Sequence, residues 1–283
     1  MKPIQALLAL FAFAFLPLHA ASLDDLTWTT TAGEVTITDC NEAATGELII
    51  PDTIEGNPVT SIGEKAFLSC TSLTSITIPD GVTSIGEGAF YDCNSLTSIT
   101  IPDSVTSIGA YTFYVCNNLT SITIPDGVTN IWGQAFAYCT SLKSITIPDG
   151  VTSIGFAAFY NCSSLTSITI PDSVKSIGYQ AFSSCTSLTS ITIPDGVTII
   201  GSSTFRNCNS LTSITVPDGV TNIAGHAFMS CSSLTAITFL GDAPINKNDI
   251  FKESSPTIYH KPEAKGWGVT FAGRPVKLIT EKP

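Results

Sequence analysis

The chain has 283 residues, a formal charge of −11, charged residues at only 12% and a surplus of hydroxyl side chains. Its acid is graded along the chain: residues 21–47 carry net −6, residues 48–240 net −8, and residues 241–283 net +2. An acidic chain with no basic patch is a poor partner for nucleic acid or for an anionic membrane surface.

The first element is a leader. Lys2 precedes the apolar stretch Ala6–Leu16, then Pro17 and the small residues around Ala20. That order predicts a signal peptide over residues 1–20, cleaved after Ala20, and too short to span a bilayer. The C-terminus, ending Thr280-Glu281-Lys282-Pro283, lacks a hydrophobic tail. The expected product is exported, with no membrane insertion.

From Leu73 a 23-residue unit recurs without insertion or deletion, its starts at Leu73, Leu96, Leu119, Leu142, Leu165, Leu188, Leu211 and Leu234. A partial unit spans 48–72. A period of this length with L-x-x-I-x-I spacing reads as a leucine-rich-repeat solenoid. In each coil Ile76 and Ile78 alternate with Ser75 and Thr77, which predicts a short strand with isoleucines inward and hydroxyls outward. Ile78-Pro79-Asp80-Gly81 reads as a turn with Pro at its second position. Val82 and Ile85 form a second extended segment, and the spacing of Ala89, Phe90 and Cys93 predicts a short helical stretch on the outer side. One coil cannot bury this apolar set alone, so coils stack like on like over residues 48–240. Residues 21–47 and 241–283 are then N- and C-terminal caps.

The repeated F-x-x-C-x-S-L-x-S-I-x-I-P-D-x-V-x-x-I-G-x-x-A resembles the BspA-like (bacterial surface antigen) leucine-rich repeats, and residues 257–276 resemble the tail closing many such solenoids. The resemblance implies a secreted or surface protein that binds or adheres.

Eight cysteines, from Cys70 to Cys231, lie 23 apart and so share one column. Parallel Cβ vectors about 4.8 Å apart exceed the ~3.8 Å of a disulfide, so the column reads as buried free thiols without a metal. Cys40 lies outside the column, either free or paired with Cys70. One aspartate per coil (Asp80, Asp103 and onward) reads as turn chemistry, with weak cation binding as the alternative. The outward Ser/Thr columns suit a solvent-facing strand; regular hydroxyl arrays also occur on ice-binding solenoids. His226 and His260 are isolated after cleavage, with no nucleophile beside them, no phosphate loop and no cofactor motif, so no enzyme is expected.

Variation concentrates in the outer stretch, which carries six of the seven tyrosines. Trp132 replaces the usual Gly, and Phe156 and Tyr179 occupy the next column in the two following coils. With Tyr111 and Tyr138 they are the candidate partner-binding residues, with outer packing as the plain alternative. The expected function is a non-enzymatic module presenting this surface to a protein ligand. The rivals are a glycan ligand, since sugars stack on aromatics, and head-to-tail self-association through the oppositely charged ends.

Overall fold

A computed structural model describes residues 20–246 and 249–281. The signal-peptide stretch 1–19 lies outside the described residues.

The repeat folds as a solenoid with two parallel strand ladders. The first runs through Gly46–Ile49, Leu73–Thr77 and Ser98–Thr100, resumes at Ser144–Thr146, and ends in Ser213–Val216, Ala236–Phe239, Thr257–His260 and Arg274–Leu278. The second holds the Ser-Ile pairs, such as Ser61-Ile62 beside Ser84-Ile85 and Ser153-Ile154 beside Ser176-Ile177. An antiparallel hairpin, Leu26–Thr31 with Glu34–Cys40, covers the first coil. At the other end Phe239, Trp267 and Phe271 pack ring against ring.

Every inward position predicted from the period is buried, and like residues stack in columns. Nine phenylalanines from Phe67 to Phe251 form one column, with ring centroids 5.2 to 5.9 Å apart. Such near-parallel stacking is made favourable by offset, and each buried ring contributes roughly 1.5–3 kcal/mol. The column continues into the segment 241–283, where Phe251 stacks on Phe228.

Two local expectations are corrected. Val82 donates its N–H to Pro79 O at 3.0 Å, so the turn is Pro79–Val82 with Pro at its first position. Gly81 has no positive φ. It is there for closeness, because a Cβ would stand 3.2 Å from Val59 O. Where Ser104 takes this place, its hydroxyl donates to the neighbouring coil's Asp80 and Val82 carbonyls.

The second correction concerns the helical stretch, which is a run of turns; the described helices are only two 3-10 turns, Leu23–Asp25 and Ile279–Glu281. Alternate amides do different things. Ala66, Leu68 and Cys70 bond back three residues within the coil, while Lys65, Phe67 and Ser69 donate forward to Glu87, Ala89 and Tyr91 of the next coil. An α-helix would send all of these four residues back along its own axis. Left-handed residues four apart, Lys65 (φ 54°) and Ser69 (φ 56°), turn the alternate amides outward. The helical spacing of Ala89, Phe90 and Cys93 is equally satisfied by this turn run, so the pattern could not separate them.

The cysteines also do more than fill space. Each thiol from Cys93 to Cys231 donates to the phenylalanine carbonyl 26 residues earlier, at 3.0 to 3.2 Å. In the last coil Ser254 holds the same place and donates to Phe228 O.

The ladders are interrupted twice, at coils where the buried alanine before Phe becomes Thr112 or Thr204. Each hydroxyl donates to the glycine carbonyl three residues back, at 2.9 and 3.0 Å. In other coils that glycine sits tightly on its neighbour: a Cβ on Gly86, Gly155 or Gly178 would come within 2.6 Å of backbone. At Gly109 the nearest backbone is 3.6 Å away. The extra methyl and hydroxyl therefore prise two coils apart on the strand side while the phenylalanine column stays closed.

Two predictions follow from this packing. Phe136→Ala, in mid-column, should cost ~3–5 kcal/mol in denaturant melts, and Thr123→Ala on the outer strand should fall within ~0.5 kcal/mol; equal losses would invert the assignment of inside and outside. Burial pushes the thiols up, Cys185 and Cys231 from 9.0 to about 12. A raised folded-state pKa means stability is full below the unfolded value and drains as pH climbs to the folded one. Melting temperature should thus hold to about pH 9 and fall from there to about pH 12. Cys185→Ser, which keeps the hydrogen bond and cannot ionise, should lessen that slope by about one proton.

Candidate binding surface on the turn face

The turn run fixes its backbone by alternate local and inter-coil bonds, so its outward side chains carry no structural duty towards the core. This freedom explains why sequence variation collects there. Every coil offers two left-handed positions on this face, and Tyr111 (φ 57°) and Tyr138 (φ 63°) occupy them in their coils. Left-handed backbone costs a bulky residue on the order of 1–2 kcal/mol. Here the cost is imposed by the fold, since Gln134, Asn161 and Ser203 sit in the same conformation elsewhere.

The tyrosines make a continuous run across four coils. Tyr91 stacks on Tyr114 at 4.7 Å. The next residue of that column is Ala137, and Tyr138 from the adjoining column fills the gap, edge-on to Tyr114 at 5.4 Å and to Tyr160 at 5.3 Å. Tyr111 meets Tyr114 at 5.8 Å. Tyr111 and Tyr138 are thus half-buried members of a packed run. Loss of solvation, then the neighbouring phenols, raise the pKa values of Tyr114 and Tyr138.

Trp132, Phe156 and Tyr179 are placed differently. They are 55%, 49% and 60% exposed, and none of the three stacks on another ring among the described residues. Phe156 and Tyr179 share a column but do not pair, unlike the buried phenylalanines. Tyr179 lies across the next coil, its ring over Gly201 beside the second opened seam. Phe156 joins the tyrosine run: with Tyr114, Tyr138, Tyr160, Gln134 and Gln180 it lines a depression of about 210 Å³. A hollow of about 200 Å³ beside Tyr179 is lined also by Ile199, itself 49% exposed. Gln134, Gln180 and Ile199 were not among the sequence candidates, since each is an unremarkable variant of its column. Ile199 carried the one available signal: it replaces the Ser of Ser153 and Ser176 on an outward strand position.

Other features group elsewhere. A hollow of about 590 Å³ lies at the last coil between Asp218, Asp242 and Lys261, away from the aromatics. The aspartates of the repeated turn are exposed, and among the described residues no group of three or more His, Cys, Asp or Glu could hold a metal ion. Among those residues no helix is long and apolar enough to cross a membrane. His260 stacks on Trp267 at 5.2 Å within the C-terminal cluster.

The family model for the BspA-type leucine-rich repeat region matches in six copies over residues 47–155 and 129–258. The chain belongs to the BspA-type leucine-rich repeat family. It is similar to a leucine-rich repeat protein from Bacteroides ovatus, at 31% identity over 91% of this chain and 76% of that one, with a TM-score of 0.69. It also matches a leucine rich cell surface protein from Faecalibacterium prausnitzii, at 25% identity over 88% and 98% of the two chains, TM-score 0.41. A third match is the Treponema pallidum (T. pallidum) leucine-rich repeat protein, at 25% identity over 84% and 86%, TM-score 0.43. No curated protein matches. As a BspA-type solenoid the chain falls in a family that is typically non-enzymatic.

Proposed function

We propose that this BspA-type chain is an exported, non-enzymatic binding module that presents its aromatic turn face to a protein ligand. One observation carries the reading: Trp132, Phe156 and Tyr179 stand about half exposed on successive coils beside a packed tyrosine run. Large aromatics left in water on a rigid backbone are unusual, and they are the side chains most often found at binding hot spots. The underlying tyrosines hold the platform in shape, so little order has to be gained on binding. The leader pattern at residues 1–20 supports export, and the family supports adhesion as a class of role.

The simultaneous replacement of Trp132, Phe156 and Tyr179 by Ala tests this. None belongs to the inward columns, so the variant should keep the wild-type melting curve. Its affinity for a purified ligand recovered from cell surfaces by the tagged chain should drop about 30-fold or more. Early melting would make the three aromatics outer packing; unchanged affinity would move the site to another face.

A second reading has its own support, because Gln134 and Gln180 place planar amides beside the rings of the 210 Å³ depression. Rings with flanking amides and hydroxyls, and no charge, suit a neutral oligosaccharide. A glycan array bound by the wild type and lost in Gln134→Ala would favour sugar over protein.

A further inference from the structure

Cys40 and Cys70 depart from the pattern of the other thiols. From Cys93 onward each thiol has a phenylalanine carbonyl of the preceding coil as acceptor. Cys70 opens the column, and among the described residues no phenylalanine precedes its coil. Its thiol turns instead to Cys40 O at 3.8 Å. Cys40 closes the second strand of the covering hairpin, and its thiol makes a long contact to Asn41 O at 3.8 Å. The Cys70 thiol beside it, then burial, push the Cys40 thiol far above the ordinary range. Both residues are buried, at 3% and 0% exposure.

Thiols are weak donors and weak acceptors, so two of them facing each other satisfy one another poorly. Successive column cysteines stand in parallel register, with coils 5.2 to 5.9 Å apart at the adjoining rings. That register keeps their Cβ atoms beyond the ~3.8 Å of a bridge. Cys40 approaches Cys70 from a different strand and is not bound by that register.

We propose that Cys40 and Cys70 form a disulfide that staples the N-terminal hairpin to the first coil when the chain folds in the presence of a small-molecule disulfide. One cysteine thiolate attacks a sulfur of oxidised glutathione, forming a mixed disulfide and releasing one glutathione thiol. The second cysteine attacks the protein-bound sulfur, the Cys40–Cys70 bond forms, and the second glutathione leaves. The two cysteines lose their protons and are oxidised together, and one oxidised glutathione is reduced to two thiols. Both groups are buried once the hairpin docks, so the bridge forms during folding, before the cap closes. The bridge joins positions 30 apart in the chain, enough to restrict the unfolded ensemble. The proposal is independent of the ligand-binding reading.

The test refolds the full chain from denaturant with reduced and oxidised glutathione, blocks free thiols under denaturing conditions, and maps peptides by mass. The expected result is a Cys40–Cys70 cross-linked peptide, lighter by two hydrogens, with Cys93 to Cys231 all blocked. The oxidised chain should melt above the chain refolded with reductant. Cys40→Ala and Cys70→Ser should each abolish that difference; Ser254 already fills the equivalent place in the last coil, so Cys70→Ser should fold. Nine blocked cysteines, or bridges within the column, would overturn the proposal, as would a melting difference that persists in Cys70→Ser.

Discussion

Everything in this molecule depends on the stacking of identical inward columns. A single coil has two short strands and a run of turns, and it cannot enclose its own Phe, Leu, Ile and Val side chains. Burial is completed only by the coil above and the coil below, which is why the period is held without insertion from Leu73 to Leu234. The phenylalanine column is the most constrained part. Its carbonyls point between coils, and from Phe67 to Phe205 a thiol of the next coil donates to each of them. Ser254 shows what that position requires: a small side chain with one donor, for which sulfur is sufficient and oxygen equivalent.

The backbone network makes the outside permissive. The amides that lead into the strands donate to the preceding coil, as Thr83 does to Thr60 and Thr97 to Thr74, whereas alternate turn-run amides donate to the following one, as Phe67 does to Ala89. Coils are thus tied in both directions without help from outward side chains. Those positions are free to carry tyrosines, glutamines or a tryptophan, and the aromatic surface is built on that freedom. Its candidate residues divide into two kinds. Tyr111 and Tyr138 brace a run of stacked phenols, while Trp132, Phe156 and Tyr179 leave their rings in solvent.

The same network tolerates defects. At Thr112 and Thr204 a slightly larger buried residue opens the strand ladders and leaves the ring column intact, with centroids of 5.4 and 5.8 Å on the N-terminal side. Strand pairing is therefore the adaptable bond of this solenoid and ring stacking the fixed one. The second seam lies beneath Tyr179, whose ring covers Gly201, so the exposed surface and the interior irregularity meet at one place.

The period alone determined the coil, its inward residues, the thiol column and the family, because a 23-residue repeat leaves one way for like residues to meet. The aromatic candidates were also legible, as departures from a monotonous background. Three things were decided only by tertiary structure. The outer stretch is a turn run because alternate amides find acceptors on the next coil, a partner invisible to any spacing within one coil. The turn register follows from Gly81 packing on Val59 O rather than from proline preference. The separation of braced tyrosines from solvent-exposed aromatics depends on Ala137 leaving a gap that Tyr138 fills, and that is a contact between coils, not a property of either residue.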